Sequence, residues 1–255
     1  MTYNIRYDNP EDPFRWEDRQ RGLAELVRQS QPDVLGVQEA LSHQVTDLAT
    51  LLPGYQWVGQ GRGPDNPRLK YSQKSGEWNP IFYKSNLTLL GSGTFWLSEN
   101  PQQAGSFGPQ FSLPRIATWA KFRLPGGSQV LAVNTHFPHE SQARQQRAYA
   151  AQVLVRELGR LRDGLPVVLL GDFNMDVEDS AEPAATLLRE HFHDAGAQAP
   201  APTFYGFEAG TAPGVRLDYI WTAGAVTSPA QVLTARQGSH FFSDHLPVVA
   251  DVLLR

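Results

Sequence analysis

The chain has 255 residues, a formal net charge of −4 and a hydrophobic fraction of 41%, including 13 Phe, 8 Tyr and 6 Trp. This apolar content excludes a disordered chain, and we expect residues 1–255 to form one domain. The absence of cysteine excludes disulfides, thiolate zinc sites and a cysteine nucleophile, and the acidic balance offers no general attraction to duplex DNA.

The N-terminal part of the chain alternates strand and helix patterns. Apolar residues at helical spacing end before Pro32, and a second helical pattern ends before Pro53-Gly54. A continuous apolar run lies between the two. These patterns predict a strand over 2–6, a helix over 16–31, a strand over Val34–Gln38 and a helix over 44–52.

The start of the chain bears on localisation. Since the sequence opens directly on a strand pattern, we expect a leader or a few strand residues to precede it. No apolar run of about 18 residues occurs, so no membrane span is expected. The compartment stays open between the cytoplasm and export.

The middle of the chain has two long polar segments among strand patterns. Residues 55–79 and 99–114 are rich in polar residues, Gly and Pro, which predicts surface loops. Long ordered loops in compact enzymes usually serve function, so we expect both to border a binding site. The apolar runs between and after them predict strands over 81–83, 87–90, 94–97, 117–122 and 130–134.

The C-terminal half combines a long helical pattern with a buried strand. The run at 166–170 is short and almost entirely apolar, which is typical of a strand buried on both faces. The patterns predict helices over 141–162 and 184–191 and strands over 166–170, 216–221, 232–235 and 248–254. Alternating strands and helices indicate an α/β fold with layered sheets and outer helices.

Polar side chains follow several of these strands. Asp172 and Asn174 come directly after the buried strand, and side chains two residues apart point the same way, so they can hold one water or one phosphate. Other such groups end or begin strands along the chain: Glu39, His136, Asp218 and the pair Asp244-His245.

Each group also has an ordinary structural explanation. A strand-end Asp usually caps a turn or helix, and a lone His is more often a satisfied core or surface residue. Asp218 fits this explanation less well, because an unpaired buried carboxylate costs several kcal/mol. A globular α/β protein without a site is thus the alternative, but the recurrence of these groups at five strand ends favours a catalytic site.

The order of the motifs resembles the endonuclease/exonuclease/phosphatase superfamily of metal-dependent phosphoesterases. The matching segments span nearly the whole chain and lie at 2–5, 38–39, 134–136, 171–174, 217–220 and 243–245. Further segments at 3–10, 76–83, 93–98 and 113–119 are similar to a poorly characterised bacterial branch. The resemblance implies a DNase I-like four-layer α/β sandwich, with two mixed sheets packed face to face and helices outside.

The resemblance also implies a metal site. Glu39 would be the principal metal carboxylate, the side-chain oxygen of Asn4 would lie beside it, and Asp244 would be a further or second-metal ligand. Mg²⁺ or Mn²⁺, as one or two ions, would be the cofactor. Some nuclease members carry an acid where this chain has Arg6, so a third ligand from this strand is not expected.

The catalytic roles follow from the same resemblance. Asp172 would orient or deprotonate the attacking water, and Asn174 would hydrogen-bond the nucleophile or a phosphate oxygen. Asp218 would hold the ring of His245 against the scissile phosphate. His136 would donate to a non-bridging oxygen or the leaving group. Whether Asp172 or His245 is the general base stays open.

Three further residues are weaker candidates for substrate binding. Arg115 could bind a phosphate through two hydrogen bonds, or could form a surface ion pair instead. Asn79 and His240 could line the pocket.

The substrate is less defined than the chemistry. The acidic balance favours a small-molecule or lipid-headgroup phosphoester, whereas a nuclease on DNA or RNA would want a basic groove. A catalytically inactive binding scaffold is the alternative from another class, but the expected acids and His245 are all present. We expect a monomer.

Overall fold

The computed structural model describes residues 1–63, 76–140, 143–208 and 214–254. Its helices are α1 (Trp16–Ser30), α2 (Ser42–Leu51), α3 (Arg144–Leu161) and α4 (Pro183–His191). Its strands are β1 (Thr2–Asn4), β2 (Val34–Gln38), β3 (Tyr55–Val58), β4 (Ile81–Lys84), β5 (Thr88–Trp96), β6 (Ile116–Arg123), β7 (Gln129–His136), β8 (Val167–Asp172), β9 (His193–Asp194), β10 (Asp218–Ala223), β11 (Ala225–Thr227), β12 (Gln231–Val232), β13 (Arg236–Gln237), β14 (His240–Phe241), β15 (Val248–Val249) and β16 (Val252–Leu254).

Two six-stranded mixed sheets form the centre of the fold. The first has the order β12-β15-β1-β2-β4-β3 and the second the order β5-β6-β7-β8-β10-β9. Each sheet contains one parallel pair, β1 with β2 and β7 with β8, and its other pairs are antiparallel. Because parallel strands end at the same edge, each sheet brings two strand ends together in its middle.

Alternating apolar side chains join the sheets to each other and to the helices. On β8, Val167 and Leu169 pack with α3 and α4, whereas Leu170 packs with Val248 of the first sheet. Helices α1 and α2 cover the outer face of the first sheet. The layers therefore run helix, sheet, sheet, helix, which confirms the four-layer α/β sandwich.

A buried polar contact also fastens the two sheets. Asn134 on β7 donates from Nδ2 to the carbonyls of Val37 at 2.8 Å and Pro80 at 2.9 Å, and its Oδ1 accepts from Gln38 Nε2 at 2.5 Å. All three partners belong to the first sheet or the residue preceding β4. A Cβ on Gly36 would lie 2.7 Å from Asn134 Oδ1, so glycine is required for this close approach.

Replacing Asn134 with alanine is expected to destabilise the protein by about 2–4 kcal/mol, because three buried inter-sheet hydrogen bonds are lost at once. The measurement is the free energy of unfolding in urea, with the exposed Asn100→Ala as the matched control. A loss below about 0.5 kcal/mol, the range of ordinary surface substitutions, would show that Asn134 does not fasten the sheets.

Several element boundaries differ from the predictions. Tyr55–Val58 lies in the predicted 55–79 loop but forms β3, pairing with β4 at the exposed edge of the first sheet. The predicted strands 87–90 and 94–97 are one strand, β5, with a register shift between Leu89 and Gly91. The ring of Trp119 packs across this strand, and a Cβ on Gly93 would lie 2.9 Å from its Nε1. Gly91 and Gly93 therefore make room for this ring within a continuous strand and do not form a turn.

The remaining boundaries differ by a few residues. Helix α2 begins at Ser42, β10 begins at Asp218, the strand predicted over 232–235 is Gln231–Val232, and the strand predicted over 248–254 is divided into β15 and β16. The predicted helix start at Ser141 and residues 64–75 of the first predicted loop lie outside the described residues. Within the described ranges, no helix is both long and apolar enough to cross a membrane.

Candidate active site

The site lies where the central strand ends of the two sheets converge. The first sheet contributes Asn4 at the end of β1 and Glu39 directly after β2. The second sheet contributes His136 and Asp172, which end β7 and β8 and are paired in register. The motifs recognised in sequence thus meet because the parallel pairs of both sheets point to one edge.

Asn4 links the carboxylates of the two sheets. Its Nδ2 lies 3.0 Å from Glu39 Oε1 and 2.9 Å from Asp172 Oδ2. Its Oδ1 accepts the backbone N–H of Arg6 at 3.0 Å. Asn4 lies beside Glu39 as expected, but the atom facing the carboxylates is its nitrogen, so this geometry favours positioning Glu39 and Asp172 over metal ligation by its oxygen.

Asp172 is a buried acid with a perturbed pKa. Its Oδ1 accepts the backbone N–H of Asn174 at 2.9 Å, and its Oδ2 lies 3.5 Å from His136 Nε2 and 3.7 Å from His245 Nε2. Burial, and next the charge of Asp218, raise the pKa of Asp172 to about 7, against the opposing effect of His245. A carboxyl with this pKa can exchange a proton near neutral pH.

His245 and Asp218 form a buried imidazole–carboxylate pair. Asp218 begins β10 directly opposite Asp172, and its Oδ2 lies 2.8 Å from His245 Nδ1. The same oxygen accepts the hydroxyl of Thr203 at 2.6 Å. Burial lowers the pKa of His245, but Asp218 and then Asp172 outweigh it and hold the pKa well above 6.5. His245 is therefore a cation with Nε2 directed towards Asp172.

His136 and Asn174 form a second, neutral pair. Asn174 Nδ2 lies 2.9 Å from His136 Nε2 and donates to the carbonyl of Phe137 at 3.1 Å. Burial, and next the charges of Arg115 and Arg62, lower the pKa of His136 well below 6.5. With Nε2 accepting from an amide, the proton belongs on Nδ1, which has no hydrogen-bond partner in the described chain.

Glu77 belongs to the site, although sequence reasoning did not single it out. Its carboxylate is held by Arg62 through contacts of 2.7 and 2.9 Å, and Oε2 lies 3.8 Å from His136 Nδ1. Burial raises the pKa of Glu77, and Glu39 adds to the rise against Arg62 and Arg115. It lies in the 76–83 segment that carried the resemblance, so the signal was present in the motif.

Two groups of side chains fit a divalent ion. Glu39, His136 and Asp172 form one, and Asp172, Asp218 and His245 the other, with the ligand atoms of each within 4.8 Å of one another. Since His245 is held as a cation by Asp218, the first group is the better fit. Its carboxylate oxygens suit a hard ion such as Mg²⁺ or Mn²⁺.

Asp244 lies at the border of this site and belongs to neither group. Its Oδ1 accepts the hydroxyl of Ser243 at 3.2 Å, and its Oδ2 lies 3.9 Å from Arg6 Nε. Burial raises the pKa of Asp244, against the effect of His245. The geometry thus brings Asp244 to the edge of the cluster without joining it to the Glu39 group.

The three weaker candidates have different positions. Arg115 is buried, its Nη2 lies 2.8 Å from His139 Nδ1, and its Nη1 has no partner among the described residues. Asn79 is buried and donates to the carbonyl of Ile116, next to Arg115 in the chain. His240 lies on β14 against the ring of Phe14, and its polar contacts, with Ser239 and Glu208, are outside this cluster. In Arg115, one guanidinium nitrogen therefore remains available to a ligand.

An aromatic side chain also lies beside His245, and the sequence pattern did not indicate it. The Phe204 ring lies 4.9 Å from the His245 ring, and 36% of the residue is exposed. A single Phe in a loop rich in Pro and Thr gives no pattern that would have indicated this position.

Three non-glycine residues of the site have left-handed backbone conformations. Their φ angles are +56° at Arg6, +63° at Glu39 and +50° at Asn174. Such conformations cost of order 1 kcal/mol each and persist only where surrounding contacts enforce them. The strain coincides with the residues that aim polar groups into the site.

The four-layer fold and this cluster define a DNase I-like phosphoesterase. The chain matches the family model described as Endonuclease/Exonuclease/phosphatase family over residues 1–245. It therefore belongs to this family, whose members are hydrolases acting on phosphoester bonds and generally use divalent metal ions.

Individual relatives agree with this assignment. A family member of known structure from Bacteroides vulgatus is 31% identical, with a TM-score of 0.86 over 100% of this chain and 97% of that chain. A mannosyl-6-phosphatase from Bacteroides thetaiotaomicron is 28% identical, with a TM-score of 0.87 over 99% and 98% of the two chains. Rat Nocturnin is 25% identical over 95% of this chain. The chain spans 60% of that protein's length and 25% of the fruit-fly Nocturnin it also matches.

Proposed function

We propose that the protein is a Mg²⁺- or Mn²⁺-dependent phosphoesterase that hydrolyses a small-molecule or lipid-headgroup phosphate ester by in-line attack of water. The proposal rests mainly on one observation. Glu39 from the first sheet and Asp172 and His136 from the second lie close enough together to bind one metal ion. This group lies beside the His245–Asp218 pair. No structural need explains so many buried titratable groups in one place.

The metal would be held by the carboxylates of Glu39 and Asp172. A divalent ion there supplies Lewis-acid stabilisation of phosphate oxygens and of the attacking water. Asn4 keeps the two carboxylates in place, because its amide donates to both. The ring nitrogen of His136 nearest them is Nε2, which Asn174 already occupies, so we assign ligation to the carboxylates.

Asp172 is the favoured proton acceptor. The water oxygen bonds to phosphorus, the phosphorus–oxygen ester bond breaks, and the water proton passes to the carboxylate of Asp172. His245, as a cation, stabilises the negative charge that builds on the phosphoryl oxygens. The Nδ1 proton of His136 is available to a phosphate oxygen or to the leaving group.

The buried guanidinium of Arg115 is suited to binding the substrate phosphate. Arg115 is 4% exposed, its Nη1 has no hydrogen-bond partner among the described residues, and its charge acts on Glu77 and His136. A buried guanidinium without a full set of partners is costly, and a phosphate oxygen would satisfy it. We therefore infer that Arg115 binds the substrate phosphate, whereas Asn79 supports the start of β6 and His240 does not contact substrate.

The small-molecule substrate is favoured over a polynucleotide by two observations. The chain carries a net charge of −4, which opposes binding of a long polyanion. A similar protein with 99% coverage of this chain is a mannosyl-6-phosphatase. A phosphorylated sugar is therefore the first substrate to test, and DNA or RNA hydrolysis is the second candidate function.

The test is a substrate screen with Mg²⁺ or Mn²⁺ on sugar phosphates, glycerophosphodiesters, single- and double-stranded DNA and RNA. We expect turnover of a small phosphoester, its loss in EDTA and its recovery when Mn²⁺ is restored. Asp172→Asn is the control expected to be inactive. Asp176→Asn changes an exposed acid four residues away and is the matched control expected to stay active. Turnover that persists in EDTA would refute the metal-dependent chemistry, and cleavage of polynucleotides alone would refute only the substrate class.

A further inference from the structure

The guanidinium of Arg6 lies between two carboxylates of the site. Its Nη1 is 4.0 Å from Glu39 Oε2, and its Nε is 3.9 Å from Asp244 Oδ2. These distances allow strong Coulombic attraction without the close contact of a dedicated ion pair. The positive charge of Arg6 therefore acts on both acids that the sequence indicated as metal ligands, in addition to its closer ion pair with Asp12.

Arg6 is fixed in this position by other contacts. Asp12 accepts from its Nε at 2.9 Å and from its Nη2 at 3.0 Å, in a two-pronged ion pair. Its backbone carbonyl accepts from Gln44 Nε2 at 3.0 Å and from Arg19 Nη2 at 2.7 Å. Together with the left-handed backbone at φ +56°, these contacts hold the charge in place.

The charges around Glu39 and Asp244 determine the role of Arg6. Glu39 accepts hydrogen bonds from two neutral donors, the amide of Asn4 and the backbone N–H of Tyr7 at 3.2 Å, and neither of them brings a positive charge to its carboxylate. Asp244, in contrast, accepts from a serine hydroxyl, lies near the charges of Arg6 and His245, and is outside both clusters that fit a metal. A second divalent ion between Glu39 and Asp244 would be placed against the guanidinium and repelled by it.

We propose that Arg6 is a built-in cation that takes the place of a second metal ion, so that the chain binds a single divalent ion, held by Glu39 and Asp172. This inference rests on the proposed metal-dependent function and deepens it. Arg6 is a positioning residue in this scheme, because it acts on Glu39 and Asp244 and sets the metal stoichiometry.

The experiment counts Mn²⁺ ions bound per chain, by equilibrium dialysis and by calorimetric titration with Mn²⁺ alone. We expect one ion in the wild-type protein and in Arg6→Lys, which keeps the charge. Arg6→Asp removes the cation and adds a carboxylate beside Glu39 and Asp244, and we expect it to bind two ions. In Arg6→Ala the first ion should bind roughly three- to tenfold more tightly, because a nearby positive charge has been removed.

The matched control is Arg15→Asp, which makes the same change in net charge elsewhere in the N-terminal part of the chain. Arg15 is the residue preceding α1 and pairs loosely with Asp8 at 3.8 Å, and Asp is well tolerated at a helix N-cap. We expect this control to bind one ion with wild-type affinity.

The outcomes separate this inference from the proposed function. Two ions in the wild-type chain would overturn the role of Arg6 whatever the variants do, and so would one ion in a folded Arg6→Asp. No Mn²⁺ binding by the wild-type chain would instead overturn the proposed metal-dependent function. The wild-type count does not depend on the folding of any variant.

Discussion

Asp172→Asn is expected to lower kcat by about 10³- to 10⁴-fold while leaving the fold intact. The substitution removes the proton acceptor and one of the two carboxylates that hold the metal, and losses of this size follow when such groups act together. Steady-state kinetics at saturating Mn²⁺ measure it, with Asp176→Asn expected to stay within about twofold of wild type. A kcat of Asp172→Asn within tenfold of wild type would show that Asp172 is not the base.

The same substitution is expected to stabilise the metal-free protein. The pKa of Asp172 is raised from about 4 in the unfolded chain to about 7 in the folded one. The folded state therefore holds this proton more tightly, and the stability contributed by the group is lost as pH rises through 7. In EDTA, the Tm of Asp172→Asn should exceed that of wild type by a margin that grows from pH 5 to pH 8. A constant difference would contradict the raised pKa.

His245→Gln is expected to lower kcat/KM by about 10²- to 10⁴-fold, because it removes the cation facing the scissile phosphate. The exposed His193→Gln, on β9 at the edge of the second sheet, is the matched control and should be unaffected. Equal activity of the two variants would remove His245 from the mechanism.

Asp218→Asn distinguishes a charge effect at His245 from a packing effect. Asp218 and Asp172 hold the pKa of His245 well above 6.5, so wild-type kcat/KM should fall only as pH rises well above neutral and the imidazolium deprotonates. In Asp218→Asn the fall should begin at lower pH, because the main source of the raised pKa is gone. A merely structural role would reduce activity equally at every pH.

The sequence indicated which residues come together at the site better than it indicated the contacts between them. Glu39, Asp172 and His136 were recognisable because each ends a strand, and parallel neighbours bring strand ends together. The direction of the Asn4 amide was not recognisable, because either end of the amide can face a carboxylate and the backbone of Arg6 decides which one does.

Contacts that depend on folded loops also could not be predicted. The pairing of Arg6 with Asp12, and the approach of Phe204 to His245, join residues on irregular segments where no periodicity restricts direction. Strand β3 was hidden for a related reason, since an edge strand that is half exposed carries little apolar alternation.

The position of Asn134 beneath the site links mechanical rigidity to reactivity. Glu39 and Asp172 come from opposite layers of the sandwich, so the gap between their carboxylates changes whenever one layer slides over the other. The amide of Asn134 resists that sliding through Val37 and Gln38, directly before Glu39 in the chain. Mild heating that breaks the Asn134 contact between the two sheets should therefore inactivate the enzyme before its helices and strands unfold.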